Sequence, residues 1–497
     1  MPTLDIALAD IPEATPFQPE GWDVLLLRFG EEVSALAPTC PHFGLPLAKG
    51  VVRDGTLICP FHHACFDART GAQSQPPGHG DLRRFEAVVR DGRVQVEVTD
   101  GPDHVATAHA RQGIDARRFV IAGSGAAADA CAHALREGGF EGAIEMISPS
   151  GPPLDRTMLS KAVLAGEKSP DDLVLSDAEA LADLDVTVID GTVAGVEPGH
   201  VTLTEGGRHA WDGLLLAPGG VPIRPDWPGA GLAGVHVLRS GAEAAALSAA
   251  AETARRVVFV GGGFIGMEGA LSLAKRGLDV TVVLREEVPL AHVFGKDIGG
   301  AIRTEHEEAG VRFVAGAEVK GIAGDAHAEG VALADGSTVP ADLVVLALGV
   351  RPATASITGL PLAEDGSVAT GADLSVPGHP GLYVAGDCAT APTPFGTARI
   401  EHWRVALQHG RAVARAFLGA DGSSDIPFFW TALGRQYRYL GHAEDWDEIR
   451  LDGDPSGAFL AHVVKDGEIR AAITAGRDAD LAELHLRMKA AGGPIPA

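Results

Sequence analysis

The chain has 497 residues, with 40 basic against 66 acidic side chains and a net charge of -26. That length holds three or four domains at about 100–200 residues each. So acidic a surface repels phosphate backbones, which excludes general nucleic-acid binding and leaves at most a preference for a basic protein partner. Five cysteines, Cys40, Cys59, Cys65, Cys131 and Cys388, are too few and too odd in number for a disulfide framework. The opening "MPTLDIALADIPEATPF" has no basic stretch followed by an apolar run, so no secretion signal is expected. Apolar runs such as 343–350 are too short to cross a bilayer and read as buried parallel strands. The expected location is the cytoplasm, with no membrane partner.

The first hundred residues read as short strands with turn signals. "GTLIC" follows Asp54-Gly55, and "FEAVVR" and "RVQVEV" flank Asp91-Gly92, a strong hairpin signal. An all-β module is expected over 1–104. Within it, Cys40-x-His42 and Cys59-x-x-His62 are separated by sixteen residues. Two thiolates and two imidazoles suit zinc, or a [2Fe–2S] cluster with both cysteines on one iron and both histidines on the other. The spacing favours the cluster: each Cys/His pair has its own tight loop, so the two loops clamp from opposite sides. Pro41, Pro46, Pro60 and Gly44 stiffen them, and "QPPGHG" at 75–80 offers a third, covering loop.

These residues resemble a Rieske domain of the ferredoxin type over roughly 20–100. The resemblance implies that Cys40, His42, Cys59 and His62 are the metal ligands. High-potential members carry an extra disulfide; Leu45 and Phe61 stand where its cysteines would be. The cluster is therefore expected at the lower end of the Rieske range of about -150 to +300 mV. Cys65 reads as a buried thiol. His63 replaces the glycine usual in the family and reads as a half-exposed loop histidine.

Residues 100–113 show no periodicity, and a linker is expected over 105–115. Beyond it, "RRFVIAGSGAAADACAHALREGG" runs strand, Gly-rich turn, helix, and "RRVVFVGGGFIGMEGALSLAKRGLDVTVVL" repeats the pattern about 140 residues later. In the first turn Gly123 allows the tight bend, Gly125 lets backbone approach a pyrophosphate, and Ala128 keeps helix close to sheet. The usual acid after the second strand is missing. Ser148, Pro149 and Ser150 stand there, leaving the Ser150 hydroxyl as the ribose partner. The second turn has Gly261, Gly263 and Gly266, with Glu268 on its helix. Arg285 and Glu286 end the next strand: the arginine suits the 2′-phosphate of NADPH and the carboxylate the 2′-hydroxyl of NADH, and Glu286 tips the reading toward NADH.

"GLYVAGDCA" at 381–389, "SGPPLDRTMLSK", "LLLAPGG", "LALGVRP" and "EHWRVALQHGR" match the two-dinucleotide flavoprotein superfamily in order and spacing. Within it the chain resembles the flavoprotein reductases of ferredoxin-linked oxygenases and, more closely, apoptosis-inducing-factor-like proteins with an N-terminal Rieske domain. The fold class implied is multidomain: the all-β Rieske module, an α/β FAD/NAD flavoprotein fold, and an α+β C-terminal domain. The expected ranges are 116–237 and 359–424 for FAD, 238–358 for NAD(P)H and 425–497 for the C-terminal domain. By resemblance, Arg156 of the "PLDR" stretch joins the FAD site, Asp387 bonds the ribityl chain, and Lys161 sits near flavin N5. Glu268 pairs with Lys161 beside the nicotinamide, Trp403 borders the pyrimidine end, and Phe429 and Trp430 line the ring. Leu154 replaces a tyrosine of that motif. No cysteine pair stands ready for dithiol chemistry, so electrons leave singly.

The implied pathway runs from NAD(P)H to FAD, to the [2Fe–2S] cluster, and on to an acceptor such as an oxygenase or haem protein. Two alternatives stay open: a flavin oxidase or quinone reductase with a redox-sensing Rieske domain, and a non-enzymatic protein whose redox state controls partner binding. A homodimer is compatible with each.

Overall fold

The computed structural model describes residues 2–423 and 425–497. Met1 and Ser424, which bound two of the expected domain ranges, lie outside the described residues.

The N-terminal module is built from small antiparallel sheets. Thr3–Ala7 and Ala87–Arg90 flank Arg93–Glu97, Leu25–Phe29 pairs with Glu32–Leu36, and four short strands run from Val51–Arg53 to Gln73–Gln75. The Asp91-Gly92 turn has both residues at positive φ, 50° and 73°, which matches the twist of the strands it joins. The pairing does not end at 104: His104–Val105 adds to Asp81–Leu82. The chain therefore stays tied to the module at the start of the expected linker.

Two parallel five-stranded sheets follow. One runs Val186–Ile189, Ala143–Ile147, Arg118–Ala122, Gly213–Leu216, Leu382–Val384. Its last strand comes from far down the chain, after the second sheet is complete. That second sheet runs Val235–His236, Leu343–Leu346, Arg256–Val260, Asp279–Val283, Arg312–Val314. Their middle strands, Arg118–Ala122 and Arg256–Val260, are apolar and buried after the first arginine because both faces are covered. A six-stranded antiparallel sheet, Phe428–Leu433 to Ile495–Pro496, closes the chain with helix Asp478–Ala491. Among the described residues no helix is long and apolar enough to cross a membrane.

The two dinucleotide turns are built alike. Gly123 has φ +127° and Gly261 φ +115°, and a Cβ on either would come 2.3 Å from a carbonyl oxygen, of Ala217 or Ala347. Only glycine lets each strand end turn that tightly against its neighbour.

Candidate functional site

Two regions converge at the junction of the N-terminal module, the first parallel sheet and the C-terminal sheet. The first is the Cys/His nest. Its two loops share one backbone pattern. Cys40 N–H donates to Leu45 O at 2.9 Å and Gly44 N–H to Cys40 O at 2.9 Å; Cys59 N–H donates to Ala64 O at 2.8 Å and His63 N–H to Cys59 O at 3.1 Å. Cys40 and Cys59 are buried and their thiols share a hydrogen bond, which raises Cys40 and lowers Cys59. The Nδ1 atoms of His42 and His62 face each other at 3.1 Å. Burial pushes His42 down to about 2 and His62 to about 3, so both imidazoles are neutral and keep a lone pair. Two nitrogens held by one ion at about 2.1 Å lie about 3 Å apart when they subtend roughly a right angle. The nest therefore fits a metal group with two sulfur and two nitrogen donors. The third loop covers it: a Cβ on Gly78 would come 2.8 Å from His42 N.

The second region is a cavity of about 650 Å³. Gly125, Arg156, Lys161, Gly263, Glu268, Asp387, Trp403, Phe429 and Trp430 all line it, so the structure brings most of the expected flavin and nicotinamide residues to one place. At Gly125 and Gly263 an added Cβ would meet no protein atom within 4 Å. Each is the N-cap of a helix, Ala126–Glu137 or Phe264–Lys275, without a side-chain cap. The first amides of both helices are thus left for an anion, a fit to two dinucleotide pyrophosphates. Ala128 and Gly266 lie buried one turn in, where helix meets strand.

Lys161 stands on a single π turn, Leu159–Val163. Its Nζ pairs with Glu268 Oε1 at 2.9 Å and donates to Thr157 O at 2.6 Å. Glu268 is buried and also accepts from Ser160 Oγ and Thr431 Oγ1, each at 2.6 Å. Asp387 follows strand Leu382–Val384; its carboxylate is engaged by Arg239, and its carbonyl accepts from Arg399 Nη1 at 3.2 Å. Sequence reading missed Ser160, Thr431 and Arg239, whose partners lie 108, 163 and 148 residues away.

Two expected residues stand apart from the cavity. Ser150 is exposed at its strand end, where its backbone N–H donates to Ser148 Oγ at 3.1 Å. Ser148 Oγ in turn meets Ser124 Oγ at 2.8 Å. Glu286 is exposed beside Arg285, which helps line a separate surface depression with Gly316, Ala317 and Glu318.

One expectation is corrected. His63 is not half-exposed: only 4 % of it is accessible, and its Nε2 lies 2.7 Å from His485 Nδ1 of the C-terminal helix. The loop faces another domain rather than solvent.

The nest and the cavity share a wall. The His42 ring lies 5.7 Å from Trp403 and 6.1 Å from Trp430, and the His62 ring 4.5 Å from Trp430.

Residues 117–410 match the family model described as pyridine nucleotide-disulphide oxidoreductase, and residues 4–86 match the Rieske [2Fe-2S] domain. The chain belongs to the pyridine nucleotide-disulphide oxidoreductase family, with a Rieske domain joined to it. It is 30% identical to human apoptosis-inducing factor 3 over 489 residues, covering 92% of this chain and 79% of that protein. Rhodocoxin reductase of Rhodococcus erythropolis is 34% identical over 357 residues, covering 70% of this chain and 80% of the relative. The crystal structure of the ferredoxin reductase for the CYP199A2 system of Rhodopseudomonas palustris superposes with a TM-score of 0.70 at 29% identity, over 74% of this chain and 93% of that one. This family member is an NAD(P)H-dependent oxidoreductase of the ferredoxin-reductase type, and its cofactors are FAD, NAD(P)H and a [2Fe–2S] cluster. Although the family is named for disulphides, Cys131 and Cys388 are both buried and free.

Proposed function

We propose that the chain carries electrons from NAD(P)H through its flavin site to its own Rieske centre, and on to an external one-electron acceptor of the oxygenase or haem-protein kind. One observation carries this reading: the imidazoles of the metal nest lie against Trp403 and Trp430, and the same two indoles line the cavity. When bound, FAD takes a hydride from NAD(P)H and a Rieske cluster takes electrons singly, so together they convert a two-electron donor into one-electron output.

On this reading residues 1–104 hold the cluster through Cys40, His42, Cys59 and His62. Residues 116–237 and 359–424 bind FAD, 238–358 bind NAD(P)H, and 425–497 close the site. Gly123, Gly125 and Ala128 bring backbone amides to the FAD pyrophosphate; Gly261, Gly263 and Gly266 do so for the nicotinamide nucleotide. Arg156 and Asp387 hold the flavin's polar side. Lys161 places a positive charge where negative charge develops during reduction, and Glu268 fixes that lysine from its buried position. Glu286 accepts the ribose 2′-hydroxyl and favours NADH over NADPH. Trp403 and Trp430 exclude water between cavity and nest.

The test is anaerobic stopped-flow mixing with NADH and with NADPH, followed by low-temperature EPR. The flavin bands should bleach first and the cluster bands second, at a rate independent of protein concentration, with a Rieske-type signal after NADH. A cluster that stays oxidised while the flavin bleaches sinks the route and favours the redox-sensing alternative.

A further inference from the structure

The two metal loops are near copies, and they differ at one telling position. The residue four past each cysteine closes its loop in the left-handed region: Gly44 at φ +66° and His63 at φ +63°. Glycine takes that conformation freely, whereas histidine does so at a cost that something else must offset. The His63 ring stacks on Phe428, with centroids 4.1 Å apart, and bonds His485 at 2.7 Å. Cys65 also lies close to both imidazoles. At 2.7 Å, however, the two nitrogens are a hydrogen-bonded pair, closer than two ligands of one ion at about 2.1 Å and a right angle would be.

Next to this pair is a fully buried arginine. Arg404, in the first turn of helix Trp403–Phe417, donates from Nε to Pro76 O and from Nη2 to His63 O, both at 3.0 Å. Its guanidinium lies 5.2 Å from the Phe428 ring. Both carbonyls belong to the N-terminal module, one in the second ligand loop and one in the covering loop. A cation this deep would be left uncompensated if those acceptors withdrew. The same two helices, those of Arg404 and His485, add Gln408 to Gln75 at 3.3 Å and Glu483 to Arg53 at 2.7 Å, and a third helix, Ala126–Glu137, adds Asp129 to His79 at 2.8 Å.

We propose that His63, Arg404 and His485 are positioning residues that keep the Rieske module permanently docked, with the imidazole edge of its nest fixed on Trp403 and Trp430. The module is a wall of the flavoprotein and not a carrier swinging on its linker. This rests on the electron route proposed above, and it makes the internal step independent of any encounter between domains.

The test uses the full-length holoprotein carrying His485→Leu, a change outside the nest and outside the cavity, with His485→Asn as the hydrogen-bonding control. Hydrogen exchange is followed on both sides of the contact, the 59–66 loop and helix Asp478–Ala491. Undocking opens both faces together, so exchange should rise about tenfold on both in His485→Leu. Cluster bleaching should slow about tenfold while flavin bleaching by NADH holds within about twofold. His485→Asn should recover most of both. Exchange that rises only in the helix, or on neither face, overturns the docking. A wild-type protein protected on both faces whose cluster NADH does not reduce upholds the docking and overturns the electron route instead.

Discussion

Glu268 gathers three donors on one buried carboxylate: the Lys161 ammonium and the Ser160 and Thr431 hydroxyls. Ser160 and Lys161 are neighbours on the π turn and Thr431 comes from the C-terminal sheet; the hydroxyls take different carboxylate oxygens, so the carboxylate is fixed in rotation as well as in charge. A hydrogen bond to a charged group contributes about 1.5–3 kcal/mol. Thr431→Val should therefore slow NADH-driven flavin bleaching about tenfold while FAD stays bound. Glu268→Gln should cost more, about a hundredfold, because an amide cannot accept from all three donors and leaves Lys161 without its paired charge, held only by the Thr157 carbonyl. Single-turnover bleaching of both variants checks this. Equal, small losses would mean that the carboxylate only fills space.

At the scale of elements, strand Phe428–Leu433 does two jobs through simple alternation. Thr431 reaches Glu268 on the flavoprotein side, while Phe428 and Trp430 meet His63 and His62 of the Rieske module. The two glycine turns invite a matched experiment. Gly125 and Gly263 have open space where a Cβ would go, so Gly125→Ala and Gly263→Ala should both fold and block only the ligand. Gly125→Ala should purify without yellow colour; Gly263→Ala should keep its flavin and need a much higher NADH concentration. Flavin absorbance and the NADH dependence of bleaching read this, and the opposite pattern would exchange the roles of the two turns. These turns and the Cys/His loops were legible in the sequence because each is a local device: a few residues at fixed spacing whose chemistry follows from their own backbone. Arg404, His485, Thr431 and Arg239 were not, since nothing near them in sequence shows what they meet. The same gap explains His63. Its loop looked solvent-facing because the helix that buries it lies 422 residues away.

For the whole molecule, the same burial that assembles the site sets its response to acid. His409 is 4 % accessible, and its Nδ1 accepts the Gly386 N–H at 3.2 Å beside Asp387, which requires a neutral ring. Burial lowers it to about 4, against an opposing pull from Asp387. The unfolded chain takes up this proton near the ordinary value of about 6.5, while the folded chain refuses it until about 4. Between those values the unfolded state binds more protons, so stability falls as pH falls, by up to about 1.4 kcal/mol per pH unit from this one group. Asp129 acts in a lower window. Burial would raise it, but His79, His133 and Ser176 together hold it at about 2, so its stabilisation is present above about 4 and fades as pH drops toward 2. Acid should therefore weaken the flavin domain before it releases the Rieske contact at Asp129. Thermal melts of the holoprotein from pH 7.5 to 4.5 should show Tm falling by several degrees below about 6.5. In His409→Gln, which keeps an acceptor for Gly386 and has no proton to gain, that fall should be visibly shallower. Parallel slopes for the variant and the wild type would remove His409 from the account.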